Sequence, residues 1–324
     1  MNEKKMRVLV YGDLNIDLFF HLDLPGIELR DISYIADKFH MSPGGAAGNV
    51  GEALARLGLR PIIVSAIGLD TFGDLLLEDI ISDGIETSYV KRIPHDTTGV
   101  MVILLRRDGR RTILGYRGAN NYNVIKENEL NNLVGEADYI YISGFASNNA
   151  DEGESIILLL KKAKSMDIRL GIDLGGISRD FLRERLVDFQ GVFTDIFLNK
   201  DELELLYGKS DEEYILRLAM ELKPANIFLK MGSYGAIVYS EGKLMRVEAF
   251  DIGRPVDTTG CGDAFNAGTI LGLSLGLSSY DRALIGNLMG AYKATGLGAR
   301  HLPRSIDELR EFASKKFPGS RIPI

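Results

Sequence analysis

Cysteine is almost missing from this chain of 324 residues, with Cys261 the single instance. No disulfide can close within it, and a CxxC zinc site or a dithiol redox pair is excluded as well. Histidine is scarce: His21, His40, His95 and His301 include no pair at helical spacing, which sets a zinc hydrolase aside. No run of about 18 apolar residues occurs, so no transmembrane helix is expected. Only four apolar residues separate Met1–Arg7 from Gly12-Asp13, too few for a secretory leader, and the chain reads as cytoplasmic. Repeats, low-complexity segments and Pro-, Gly- or Ser-rich linkers are also missing. Excess positive charge is absent: 38 Lys and Arg face 45 Asp and Glu, a net −7. That argues against nucleic acid or an anionic membrane as the main partner, while leaving room for a local basic pocket.

What is present is an average globular composition, 45% hydrophobic and 26% charged, enough for one large core. Short apolar runs at 8–11, 62–67, 139–143, 169–173, 196–198 and 227–230 read as strands. Amphipathic segments at 46–57, 73–82, 154–166 and 212–222 read as helices, followed by helices at 264–276, 280–294 and 306–315. This alternation predicts an α/β fold with a mostly parallel sheet covered on both faces. Two blocks interrupt it: 17–23 with 35–40, and 99–105 with 112–116. The second pair is joined through 106–111, where Asp108-Gly109 is a hairpin signal. We expect a small antiparallel β flap (lid) from about 17–42 and 97–118, inserted in a single domain spanning 1–324.

The segment Asp257-Thr258-Thr259-Gly260-Cys261-Gly262-Asp263 leads into a good helix. Its glycines let a ligand approach the backbone, and the helix N-terminus favours an anion. An Asp beside such a site has a natural task, accepting a proton from a hydroxyl that attacks phosphorus. On this segment alone, a Gly-rich loop with a capping Asp accounts for the pattern equally well. A second glycine-rich helix start, Ser42-Pro43-Gly44-Gly45-Ala46-Ala47-Gly48-Asn49, and the alternating polar residues Asp13, Asn15 and Asp17 supply hydrogen-bonding groups for a polyhydroxylated ligand. A tight turn and a soluble edge strand are the plainer explanations for them.

Taken together, these motifs resemble those of the ribokinase-like (PfkB-type) family of carbohydrate and nucleoside kinases, over nearly the whole chain. Asp257–Asp263 resembles the C-terminal signature, and Gly44-Gly45 to Asn49 with Ala55-Arg56-Leu57-Gly58 the N-terminal one. Gly68–Gly73 and Gly118-Ala119-Asn120 fall where the family has similar motifs. The resemblance implies a three-layer sandwich with a lid, and transfer of phosphate from ATP to a sugar or nucleoside hydroxyl. It makes Asp263 the base and the N–H groups of Gly260, Cys261 and Gly262 an anion hole. Asp13, Asn15, Asp17, Gly44, Gly45 and Asn49 would bind the acceptor, and the lid would exclude water.

Asn199-Lys200-Asp201-Glu202 matches the family's Asn-x-x-Glu motif near Mg²⁺ and the nucleotide phosphates, and Glu202 would hold the metal through water. The same four residues also suit a capping box. Lys230, Gly232 and Gly235 resemble a nucleotide-binding turn, and Asn287, Gly296 and Gly298 would lie near adenine. Asp257 and nearby carbonyls resemble a monovalent-cation (K⁺) site of some members. Cys261 stands where a small Ala or Gly is usual, and Ala46 where ribokinases often have Lys, which weakens a ribose assignment.

Arg117 and the basic run 106–111 could meet a carboxylate or phosphate on the acceptor, although a solvated hairpin tip explains the run as well. Leu18, Phe19, Phe20, Val102 and Ile103 would expose apolar surface on the lid, for which we expect pairing with a second lid in a homodimer. Other classes fit poorly. The turn after the first strand has one glycine, against three in a dinucleotide fold. Gly208-Lys209-Ser210 has Leu203 where a Walker loop needs glycine. A non-catalytic sugar-binding regulator would not need Asp263 and both flanking glycines.

Overall fold

The computed structural model describes residues 5–22, 31, 33–106 and 111–324. In the first half, β1 (Arg7–Tyr11) is followed by β2 (Asn15–Leu22), β3 (Lys38–Gly44), β4 (Arg60–Gly68), β5 (Glu86–Ile93), β6 (Gly99–Arg106) and β7 (Arg111–Tyr116). The second half adds β8 (Tyr139–Ser143), β9 (Arg169–Asp173), β10 (Asp195–Asn199), β11 (Asn226–Lys230), β12 (Ala236–Ser240) and β13 (Lys243–Val247). The main sheet runs β13-β12-β11-β10-β9-β8-β1-β4-β5. It is parallel except where β12 turns back on β11 and β13 on β12. The small sheet runs β3-β2-β6-β7, two antiparallel pairs joined by a parallel β2–β6 contact.

Central strands are apolar on both faces because helices cover both. Val8, Val10, Tyr139 and Tyr141 enter one core, and their chain neighbours Leu9, Tyr11, Ile140 and Ile142 enter the other. The helices Glu154–Met166, Lys200–Tyr207 and Glu212–Leu222 close the second core. The helices Ala46–Arg56, Thr71–Ser82, Cys261–Ser274, Ser279–Lys293 and Ile306–Lys316 close the first. The fold is therefore a three-layer α/β sandwich carrying a smaller sheet. The edge strands β5 and β13 escape sequence reading because they are half-exposed and carry polar residues among their apolar ones, whereas β12, an interior strand of sequence AIVYS with Ala236, Ile237 and Val238 buried, carries an apolar run that the reading passed over. The helix Lys200–Tyr207 is short and was legible only through its cap.

Two of the motif segments pin the small sheet to the body. Asp70 caps the helix Thr71–Ser82 through the Gly73 amide (2.8 Å) and also accepts from the Thr98 hydroxyl (2.7 Å) at the stem of β6. Asn120 accepts from the Leu14 amide and donates to the Leu14 carbonyl, each at 3.0 Å, between β1 and β2. β3, the second strand of the small sheet in chain order, lies at Lys38–Gly44 and overlaps the expected 35–40 only at 38–40. The turn residues Asp108-Gly109 lie outside the described residues; their flanking strands pair antiparallel.

Pleating corrects the expected exposed face. In the observed register Leu18, Phe20, Phe39, Met41, Val102 and Leu114 share one side, and Asp17, Phe19, Ser42 and Ile103 the other. Phe19 and Ile103 are each 2% exposed, whereas Phe39 is 58% and Leu114 54% exposed. The apolar outer face exists, but Phe19 and Ile103 are not part of it. The opposite face carries Asp17 and Ser42.

Candidate active site

Parallel strands bring their carboxyl ends to one edge, the usual ligand crevice of such sheets. Asp173, Asn199 and Lys230 are the last residues of β9, β10 and β11. The helix Cys261–Ser274 starts above them, its N-cap Gly260 left-handed at φ 76°. A Cβ at Gly260 would lie 2.7 Å from the Ala299 carbonyl oxygen, so glycine is required by both conformation and space.

Asp263, in the first turn, accepts from the Asn49 amide at 2.7 Å. Asn49 comes from the helix Ala46–Arg56, and its own carbonyl accepts from Arg300 at 3.3 Å. Arg300, 6% exposed at its side chain, also donates to the Gly44 carbonyl (3.1 Å) and pairs with Glu52 (3.1 Å) and Asp79. One turn beyond Asp263, Asn266 donates to Asp173 (2.6 Å) and to the Tyr141 hydroxyl (3.0 Å). Lys230 donates to Asp173 at 2.7 Å. A Cβ built on Gly262 would stand 3.5 Å from the Lys230 ammonium, so this cation reaches the start of the helix.

Three carboxylates thus crowd one ammonium. Burial, with Asp173 adding to it, pushes Asp263 up to about 6 against the bond from Asn49. Burial and Asp173 push Glu202 up to about 7. Burial alone would pull Lys230 down, but Asp173 and Glu202 outweigh it and hold its pKa above the ordinary value. Glu202 and Asn199 do form the capping box: the Asn199 side chain accepts from the Glu202 amide (2.9 Å) and Glu202 from the Asn199 amide (2.7 Å). The other Glu202 oxygen and an Asp173 oxygen would each lie 3.1 Å from a Cβ on Gly175, so both carboxylates border one small space.

The polar residues after β1 gather nearby. Arg117 grips Asp13 with two bonds (2.8 and 3.1 Å) and also donates to Asn149 at 2.6 Å. The Asn15 carbonyl accepts from Asn120 at 2.8 Å. Asp17 lies against Gly44: a Cβ there would come within 2.4 Å of its carboxylate. Gly45 is left-handed at φ 85° and turns the chain into the helix Ala46–Arg56.

Several expected roles are modified by what the residues touch. The Cys261 amide donates to the Thr258 carbonyl at 3.2 Å, so it reaches an anion only by leaving that bond. Its thiol donates to the Gly290 carbonyl at 3.5 Å, away from Asp263's partners. Asn287 spends its amide on the Val247 and Glu248 carbonyls (3.1 and 2.9 Å), holding the exit of β13. Gly232 and Gly235 shape the turn from β11 to β12, closed by the Met231 amide on the Gly235 carbonyl at 2.8 Å. Gly298 donates to Asp257 at 2.9 Å and faces Ser42 of the small sheet. Asp173, Asn266 and Arg300 were not singled out from sequence. Asp173 carried a signal as the polar end of an apolar strand, and Asn266 as the residue three beyond Asp263 on one helix face. Arg300 sits in a loop without pattern.

A family model described as pfkB family carbohydrate kinase matches residues 5–305. The chain belongs to the pfkB family. It is accordingly a carbohydrate kinase, a phosphotransferase with an alcohol acceptor. This kinase is 26% identical over 308 residues to the ATP-dependent 6-phosphofructokinase of Thermoanaerobacterium thermosaccharolyticum, covering 92% of the chain and 91% of that protein. In fold the kinase resembles Arabidopsis thaliana ribokinase complexed with ribose and ATP (TM-score 0.78, 22% identity, 95% of this chain and 98% of that one). It resembles equally the Burkholderia thailandensis nucleoside kinase in complex with inosine (TM-score 0.78, 20% identity, 96% and 97%). Among the described residues of the kinase, no helix is long and apolar enough to cross a membrane.

Proposed function

We propose that this protein transfers the terminal phosphoryl group of ATP to a hydroxyl of a small sugar or sugar-like acceptor, with Asp263 as the base. The observation that carries the reading is the Asp263 carboxylate, held by Asn49, at a glycine-flanked helix start that Lys230 also reaches. A base at about 6 is ionised at neutral pH and still basic enough to take a hydroxyl proton as the bond to phosphorus forms. The amides of Gly260 and Gly262, with that of Cys261 once it leaves Thr258, would meet the charge on the transferring group. Asn15, Asp17, Asn49 and the Gly44-Gly45 turn would orient the acceptor. Asp13 contributes through Arg117, to which it is already bonded.

Asp173 and Glu202 suit a divalent cation carried on the nucleotide. Among the described residues no three such side chains are placed to hold an ion together, so these two carboxylates fit an ion that keeps water and phosphate oxygens. Mg²⁺ would supply charge neutralisation at the phosphates when bound there.

The outer apolar face of the small sheet, with Phe39, Met41 and Leu114, supports a homodimer in which two lids pair. Light scattering at micromolar concentration should give twice the chain mass, and a monomer mass contradicts the pairing.

ADP release with Mg-ATP across ribose, fructose, 2-keto-3-deoxygluconate, fructose phosphates, adenosine, cytidine and guanosine tests the function. A sugar hit supports the proposal, and a nucleoside as the sole good acceptor moves the assignment within the family. Tight acceptor binding without turnover overturns it in favour of a regulator. On the acceptor found, Asn49→Ala should shift the acid limb of kcat/KM upwards. The Asn49 amide stabilises the carboxylate, so its loss favours the protonated form and Asp263 ionises at higher pH. An unmoved limb would mean that Asn49 does not set the base.

A further inference from the structure

Lys293, the last residue of the helix Ser279–Lys293, is 0% exposed. A buried ammonium is costly unless oxygen atoms replace its water. Here the Asp257 carbonyl accepts from it at 2.7 Å and the Gly296 carbonyl at 3.2 Å, and the Asp257 carboxylate stands 3.9 Å away. Carbonyls and a carboxylate around one unit of charge are the donors a monovalent cation takes, and Asp257 with its neighbouring carbonyls is where such an ion was expected from sequence. The residues present do not fit an exchangeable ion, because the lysine head already uses the Asp257 carbonyl and faces its carboxylate.

The surrounding bonds show what this charge organises. One Asp257 oxygen accepts from the Thr259 amide and hydroxyl (2.9 and 2.8 Å), the other from the Gly298 amide (2.9 Å). The Ala299 carbonyl next to Gly298 lies against Gly260 at the head of the anion-binding turn. Lys293 therefore ties the loop 257–260 to the loop 296–300, and both to the point where the helix of Asp263 begins.

We propose that the Lys293 ammonium is a built-in cation that replaces K⁺ in this kinase, so that phosphoryl transfer does not depend on a monovalent salt. Lys293 is a positioning residue, acting through Asp257 on the anion-binding turn. The rate readout rests on the phosphotransfer reading; the melting readout below does not, so failure of one is distinguishable from failure of the other.

The test compares KCl, NaCl and choline chloride at equal ionic strength. Wild-type rates should agree within about twofold, and melting temperatures should coincide, since no site takes the ion up by mass action. Lys293→Ala leaves a cavity lined by the same oxygens. In choline chloride its rate should fall by roughly 100-fold, and K⁺ or ammonium should restore at least about tenfold while raising its melting temperature. Lys293→Met, which keeps the bulk without the charge, should be slow in every salt. A wild type whose melting temperature or rate climbs steeply with K⁺ overturns the proposal, as does a Lys293→Ala enzyme that stays fast in choline chloride or slow and unresponsive in K⁺. If Lys293→Ala folds in no salt, the wild-type melting series alone decides.

Discussion

Asp263→Asn should abolish turnover and yet melt at a higher temperature than the wild type at pH 8. The rate loss follows from the role: removing a positioned base costs about 10²–10⁴-fold, here in kcat with the acceptor KM little changed, because the hydrogen bond from Asn49 can still be accepted by an amide oxygen. The stability gain follows from the pKa. In the folded protein burial pushes the Asp263 carboxyl up to about 6 from the ordinary 3.8. Between these values the folded state binds more protons than the unfolded one, so stability falls as pH rises through that window, and the penalty persists above it. A shift of that size corresponds to about 3 kcal/mol. An amide carries no such penalty, so the variant gains most at pH 8 and loses its advantage towards pH 5. Calorimetry at the two pH values checks this. A variant that melts lower at pH 8 would mean that the buried charge is better compensated than its surroundings suggest.

Lys230→Met carries the second large effect, in the opposite direction for stability. The ammonium at 2.7 Å from Asp173 is the cation that Asp173, Glu202 and Asp263 share. Leaving a buried carboxylate without its partner costs about 3–5 kcal/mol, and Asp263 and Glu202, both held down by Lys230, shift further up. Turnover should fall by roughly 10²–10³-fold, as for other groups that meet charge on a transferring phosphoryl. The double variant Lys230→Met/Asp173→Asn separates the two causes. Removing both charges should return most of the stability and little of the rate. A double variant that recovers both would make Lys230 only the partner of Asp173.

The parts of this site that were legible in the sequence are those where backbone geometry demands a residue type. Gly260 must be left-handed, and Asp263 follows it at a helix start. Gly44-Gly45 must turn a strand into a helix beneath Asp17. These demands leave short patterns that resemble a family. Asp173 and Arg300 were not legible because each owes its place to partners at great sequence separation: Lys230 and Asn266 for one, Asn49 and Glu52 for the other. Lys293 looked like an ordinary basic residue in the last turn of a helix, since nothing local shows that its stem folds inward onto Asp257. The fold was read well in its centre, where β1 and β8 are apolar on both faces, and poorly at the edge strands β5 and β13, which are half-wet. On the small sheet, apolar residues in sequence order concealed the pleat that sends Phe19 inward and Phe20 outward.

In the proposed reaction a carboxylate raised by burial takes the proton of the acceptor hydroxyl. The pH dependence of kcat/KM for the wild type, measured between about pH 5 and pH 9 with the best acceptor, tests it most directly because it reports the essential base of the free enzyme. The rate should rise through an apparent pKa near 6 and stay flat above it. A profile flat down to pH 5, or one that rises only in the range of an ordinary lysine, would contradict Asp263 as that base.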